Sequence, residues 1–271
     1  MENKLRIGIV GLGLIGGSIE KRLTGKHELL TVSASQDRES KLEDLASADI
    51  VFLCGSQSTI SAQLEEIAKI IIRSGKEGTI PEDQRAFFRT IITDVASTKL
   101  ALSRKAQELG LKNFIPGHPM AGTEHQGYEA SFPELFEGAK WILEESSPRT
   151  AALERVIQED LGATVLVMDA ETHDKSVAMT SHLPLVLSLG LADMVHNFNP
   201  ATQVIGPGFK SMTRLASGNA SMGKEIISLN RKNIKDAWSV YKQEIESILN
   251  IYGEDLEQEL SEIKKAAAVL G

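Results

Sequence analysis

Gly11-Leu12-Gly13-Leu14-Ile15-Gly16 follows Lys4-Leu5-Arg6-Ile7-Gly8-Ile9-Val10 and leads into Ser18-Ile19-Glu20-Lys21-Arg22-Leu23. An apolar strand, a glycine turn and a helix-like run in that order form a glycine fingerprint of a dinucleotide site. Gly11 allows the sharp turn out of the strand, Gly13 lets backbone approach a pyrophosphate, and Gly16 lets the helix pack on the sheet. The helix start at Leu14 and Ile15 offers free N–H groups and a positive dipole end to phosphates. Glycine turns also arise for packing alone, but the flanking strand and helix favour nucleotide binding. The candidate cofactor contacts here are Gly11, Gly13, Leu14, Ile15 and Gly16.

Outward from this turn, strand-like runs at residues 5–10, 29–33, 50–54, 91–94, 113–115, 140–143 and 164–168 alternate with helix-like runs such as 59–73 and 99–109. Alternation of this kind predicts a mostly parallel sheet with helices on its faces, an α/β domain. Residues 74–89, with Gly75, Gly78 and Pro81 among charges, read as an exposed loop. Beyond Asp169 the strand signal fades. Helical runs take over at 171–181, 185–196, 224–252 and 254–270. We therefore expect a dinucleotide-binding domain over residues 1–169 and an all-helical domain over 170–271. A small bundle leaves an apolar face uncovered, which points to a homodimer through the helices.

Of the 271 residues, 42% are hydrophobic, enough for a sizeable core; the formal charge is −8, and the pI is near 5.4. That balance argues against a nucleic-acid or membrane-surface role, although a local pocket can still bind an anion. Cys54 is the single cysteine, so no internal disulfide forms. The chain opens directly on a strand without a signal-like segment, and no continuous apolar run reads as a membrane span. The expected location is the cytoplasm.

Three segments carry candidate chemistry. Thr93-Asp94-Val95-Ala96-Ser97-Thr98-Lys99 follows a strand and ends in small polar residues. Either Ser97 or Thr98 caps the next helix, or Ser97 points its hydroxyl into the crevice beside a cofactor. In Gly117-His118-Pro119-Met120-Ala121-Gly122-Thr123, a histidine between glycine and proline cannot sit within a regular helix. We expect it on a rigid turn, where it acts as a general base or merely satisfies turn hydrogen bonds. Gly206-Pro207-Gly208-Phe209-Lys210-Ser211-Met212-Thr213-Arg214 bends the helical half. Arg214 is either a plain surface arginine or a carboxylate clamp on a rigid element. His118 and His125, and His173 and His182, lack the spacing and partners of a zinc site, so no metal is expected.

In this order, Gly11–Gly16, Thr93–Lys99, Gly117–Thr123, Ser181-His182-Leu183-Pro184 and Gly208–Arg214 resemble the prephenate/arogenate dehydrogenase family of tyrosine biosynthesis over nearly the whole chain. The resemblance implies a Rossmann-like dinucleotide-binding domain followed by an all-helical dimerisation domain. It also implies oxidation with decarboxylation of a small cyclohexadienol, hydride passing to the nicotinamide as CO₂ departs. His118 matches the family's catalytic histidine, Ser97 the serine near the hydroxyl and nicotinamide, and Arg214 the arginine for a substrate carboxylate. Thr123 and Ser181 match residues lining the same pocket.

Departures shape the finer expectations. Leu185 stands where some members carry a second histidine, Ser211 where some carry aspartate, and Gly223 where some carry tryptophan. The loss of these groups, and an apolar residue after the SHLP segment as in cyanobacterial-type arogenate enzymes, favours arogenate over prephenate. Residues 33–50 are too short for the usual helix and extra strand, which leaves the adenosine side of the pocket open. NAD-specific folds place an acid at the end of the second strand. Here Thr31-Val32-Ser33-Ala34-Ser35-Gln36-Asp37-Arg38 offers Ser33, Ser35 and an arginine, which suits a 2′-phosphate and hence NADP, with NAD the alternative. Two rival functions are a different two-domain hydroxy-acid dehydrogenase, which would need a catalytic lysine in the helical half, and a non-catalytic nucleotide sensor.

Overall fold

The computed structural model describes residues 4–32, 42–76, 87 and 89–270. The opening stretch forms β1 (Arg6–Val10), a turn and α1 (Leu14–Leu23). The α/β half continues with β2 (Glu28–Val32), β3 (Ile50–Leu53), α2 (Gln57–Lys76), β4 (Ile91–Asp94), α3 (Leu100–Glu108) and β5 (Phe114–Ile115). These five strands are all parallel in the order β2-β1-β3-β4-β5. The order reverses between β1 and β3, and in open sheets of this kind ligands bind outside the carboxyl ends at that point. The glycine turn leaves β1 there, beside Cys54 at the end of β3.

Side-chain alternation divides the core into two layers. Ile7, Ile9, Ile50 and Phe52 face one side, while Val10, Val51 and Leu53 face the other. The second layer is closed by Ile60, Leu64 and Ile67 of α2 and by Leu102 and Ala106 of α3, spaced at helical intervals. The first is closed by Ile19 and Leu23 of α1 and by Trp141 and Leu143. Trp141 belongs to a smaller sheet in which β6 (Gly117–Pro119) runs antiparallel to β7 (Lys140–Leu143), and β7 parallel to β8 (Thr164–Val167). Helix α4 (Ala151–Arg155), followed by a π turn over Val156–Asp160, connects β7 to β8.

The rest of the chain is helical. Asp169 caps α5 (Ala170–Val177), its side chain accepting from the Thr172 N–H, an arrangement worth about 1 kcal/mol. A π turn, Ala178–His182, joins it to α6 (Leu183–His196). Then come α7 (Asn199–Thr202), α8 (Pro207–Thr213), a 3₁₀ turn over Arg214–Ser217, α9 (Ala220–Leu229), α10 (Arg231–Leu249) and α11 (Gly253–Leu270).

Several expectations need correcting. His118 stands on the short strand β6 rather than on a turn, because Gly117–Pro119 finds β7 as a partner. The expected helix over residues 224–252 is two, broken at Asn230, whose side chain turns inward to other partners. Phe87, within the stretch read as an exposed loop, is buried. Ser33 and Ser35, with Asp37 and Arg38, lie outside the described residues, so the structure is silent on the adenosine end of the site. Finally, the 27 residues from Ala170 to His196 form one helix long and apolar enough, by length and composition, to cross a membrane. The stretch escaped notice because polar and charged residues interrupt it. Those residues, His173, Asp174 and His182, are buried and bonded within the protein, while 28% of the apolar window is buried.

Candidate active site

The glycine turn has the conformation that its residue types anticipate. Gly11 has φ +99°, and a Cβ there would lie 1.9 Å from the Cys54 carbonyl oxygen. A Cβ at Gly16 would lie 1.9 Å from the Gly11 carbonyl oxygen, so α1 packs on the turn itself. Beside Gly13 there is open space, and Gly13 caps α1 with no side chain covering the helix end. The first N–H groups of α1 therefore face an open cradle at the switch point, which fits a pyrophosphate. Burial pushes the Cys54 thiol up, which keeps it neutral and inert beside this turn.

At the carboxyl end of β4, Asp94 organises the next layer. One carboxylate oxygen accepts the Gly117 N–H at 3.0 Å; the other accepts the Ala96 N–H at 2.9 Å and the Lys99 ammonium. Lys99 also donates to the Gly117 carbonyl. The buried pair thus pins the start of β6 to the end of β4 and sets the position of His118. Burial pushes the Lys99 ammonium down, opposed chiefly by Asp94.

The helix after this loop is capped by neither Ser97 nor Thr98. Asp174, from the helical half, does it: its Oδ1 accepts the Lys99 N–H at 2.7 Å and its Oδ2 the Leu100 N–H at 3.1 Å. Thr98 instead donates to Gln57. That leaves Ser97, half-buried, without a side-chain hydrogen bond among the described residues.

His118 is buried, and its Nδ1 lies 2.8 Å from Nε2 of His173. The rings meet edge to face at 73°, with centroids 5.1 Å apart. His173 Nδ1 in turn lies 2.8 Å from Asp174 Oδ1. His182 sits alongside, its Nδ1 facing the Asn230 amide at 3.0 Å, while Asn230 also donates to the Asp174 carbonyl. Burial, followed by the Lys99 charge and the two other histidines, pushes the His118 imidazole well below its usual value. Burial pushes His182 down to about 4 against the pull of Asp174. A neutral imidazole at pH 7 is the form a general base requires.

Asp174 and Asn230 escaped the sequence reading, and His173, His182 and Lys99 entered it without a role at this site. One signal could have found His173 and Asp174. Ala170, His173, Asp174 and Val177 fall at the helical spacing of a buried face, and all four are buried. A polar pair on such a stripe needs partners.

The remaining expected residues are more exposed. Arg214 lies on the 3₁₀ turn packed against α6, and its guanidinium has no hydrogen bond or ion pair among the described residues. Thr123 accepts the His125 N–H at 3.2 Å in a local turn, and Ser181 lies on the exposed side of the π turn. No hydrogen bond joins these three to His118 among the described residues. Two further bonds tie the halves together: the Ser58 N–H donates to Glu225, and Asn219 to Gln126.

A dinucleotide cradle on a parallel sheet and a buried histidine on the short strand tied to its β4, backed by a helical half, define a two-domain nucleotide-dependent enzyme. Comparison with known proteins agrees. The family described as "Prephenate dehydrogenase, nucleotide-binding domain" matches residues 13–167, and "Prephenate dehydrogenase, dimerization domain" matches residues 169–265. The chain belongs to the prephenate dehydrogenase family. A prephenate dehydrogenase of Lactococcus lactis is 28% identical over 267 residues, covering 90% of this chain and 70% of that protein. A cyclohexadienyl dehydrogenase of Zymomonas mobilis is 29% identical over 242 residues, covering 83% and 80%. Among solved structures, prephenate dehydrogenase of Aquifex aeolicus with hydroxyphenyl propionate and NAD+ superposes with a TM-score of 0.83 at 25% identity, covering 99% of each chain. Synechocystis arogenate dehydrogenase superposes with a TM-score of 0.79 at 28% identity, covering 98% of this chain and all of that one.

Proposed function

We propose that this enzyme oxidises and decarboxylates a cyclohexadienol, taking arogenate at least as well as prephenate and preferring NADP to NAD, in tyrosine biosynthesis. The observation that carries the reading is His118: a buried imidazole held neutral, tied through Gly117 to the end of β4 beside the glycine cradle. Gly11, Gly13, Leu14, Ile15 and Gly16 would hold the dinucleotide phosphates, with Ser33 and Ser35 at the 2′-phosphate. The dinucleotide supplies the hydride acceptor. His118 accepts the proton of the ring hydroxyl as the carbon–hydrogen bond breaks, which lets electrons flow into the forming carbonyl. Loss of CO₂ then leaves an aromatic ring, and that gain drives the reaction forward. Ser97, whose hydroxyl has no hydrogen bond among the described residues, orients the same oxygen. Arg214, whose guanidinium has no hydrogen bond or ion pair among the described residues, clamps a carboxylate of the substrate, and Thr123 and Ser181 line the pocket.

Leu185 and Gly223 support the arogenate reading. Leu185 is the nearest neighbour of the space beside Gly223, at 3.9 Å from where a Cβ would lie, so these two positions form one apolar corner without a discriminating group. We also propose residues 1–169 and 170–271 as the two domains, a homodimer through the second, and a cytoplasmic location. Exposed Met194, Met212, Met222 and Trp238 provide apolar surface for that contact. Steady-state reduction of NADP and of NAD with arogenate, prephenate and a simple hydroxy acid is the test. Turnover of the hydroxy acid alone would overturn the reaction class, and turnover of prephenate without arogenate would reverse the substrate preference.

A further inference from the structure

We propose that His118, His173 and Asp174 form a proton relay that fixes His118 as the Nδ1–H tautomer and carries the proton taken at its Nε2 inward to His173. This inference rests on the reading of His118 as the base. The argument is one of donors and acceptors. Asp174 already accepts two backbone N–H groups from the start of α3, so it faces His173 as a carboxylate and His173 Nδ1 is the donor. In neutral His173, Nε2 is then a bare lone pair. His118, 2.8 Å away, must donate from Nδ1, which leaves its Nε2 bare and able to accept a proton.

The step balances. The substrate hydroxyl loses a proton to His118 Nε2, His118 passes its Nδ1 proton to His173 Nε2, and His118 ends neutral as the Nε2–H tautomer. The positive charge rests on His173, against the Asp174 carboxylate. Loss of CO₂ leaves the ring oxygen as a phenolate, and the same transfers in reverse return the proton to it, giving the phenol with no net proton released. His118 on its own is a poor place for that charge, since it is buried beside the Lys99 ammonium. The charged and titratable groups around the relay are Asp94 and Lys99 at the end of β4 and the start of α3, Asp174 on α5 and His182 on the π turn, with the neutral Asn230 before α10. Asp174 is also the cap of α3, so one carboxylate both docks the two halves and orients the base. His173 and Asp174 are positioning residues, acting through His118.

Asp174→Asn tests this at nearly constant volume. Oδ1 serves both the Lys99 N–H and His173, so an asparagine that turns its amide to His173 Nδ1 keeps its oxygen on the Leu100 N–H alone; that amide donates to Nδ1 and inverts the chain, placing a proton on His118 Nε2. In full-length protein labelled with 15N-histidine, the six histidines are assigned by single substitution. We expect wild-type His118 as Nδ1–H near neutral pH and as Nε2–H in Asp174→Asn. Turnover should fall by at least about tenfold and by no more than the ~10²–10⁴-fold that a general base is worth, with dinucleotide affinity retained. His173→Asn, which leaves the α3 cap intact, should also lower turnover and release the His118 tautomer. A wild-type His118 protonated at Nε2, or a tautomer unmoved in both variants, overturns the relay. If wild type turns over no dienol, the proposed reaction fails while the tautomer measurement still decides the relay.

Discussion

Acidification should destabilise this protein steeply, and His182 accounts for a defined part of the loss. Its imidazole is buried and pushed down to about 4 from a usual value of 6.5. The folded state therefore resists a proton that the unfolded chain accepts. A depressed value of this kind contributes full stability above pH 6.5 and loses it as pH falls towards 4. The 2.5-unit difference between those values corresponds to about 3 kcal/mol over the whole window, of which about 2 kcal/mol is gone by pH ~5. The buried His118 contributes in the same direction, so the contrast must isolate one group. His182→Asn does so, because an asparagine side-chain oxygen can accept from Asn230 as Nδ1 does now. Urea unfolding of both proteins at pH ~7.5 and ~5 gives the two stability differences. Wild type should lose about 2 kcal/mol more than the variant across that interval. Equal losses would show that His182 takes up its proton in the folded state, and the electrostatic account of this cluster would fall.

His118→Asn should bind the dinucleotide normally yet turn over about 10²–10⁴-fold more slowly; in wild type the acid limb of kcat/KM should lie well below pH 6.5, because the imidazole is pushed down. Turnover within a few-fold of wild type would remove His118 from the mechanism. Gly13→Ala and Gly16→Ala should separate binding from packing. Open space beside Gly13 predicts weaker dinucleotide affinity with unchanged unfolding, whereas the 1.9 Å clash at Gly16 should also cost about 1–3 kcal/mol of stability; calorimetric titration and denaturation read the two effects apart. Arg214→Ala should leave stability within about 0.5 kcal/mol, since the guanidinium has no partner among the described residues, but raise KM strongly for both dienols; an unchanged KM would place the carboxylate elsewhere.

Much of the fold was legible because its cues are local. Seven of the eight described strands correspond to apolar runs, within one residue at either end. The missed strand, β6, has only three residues and is strand-like solely because β7 lies opposite. The glycine turn was readable for the same local reason: Gly11 needs its positive φ, and Gly16 must clear the carbonyl of Gly11, five residues away. The break at Asn230 was not, because the residue leaves the helix to reach His182 and the Asp174 carbonyl, 48 and 56 positions back in the chain.

The sequence by itself thus determined the sheet, its glycine turn and the helical half, and singled out His118 as a candidate base. Those depend on backbone propensity and on periodicity, which neighbours in the chain express. Only the tertiary structure decided how that base is held. Hydrogen bonds have short reach and strict direction, and the residues at stake are far apart in the chain: His118 and His173 are separated by 55 positions, and Lys99 and Asp174 by 75. Asp174 could cap α3, replacing Ser97 and Thr98 in that role, only once the helical half had docked. That docking also aims the relay at His118.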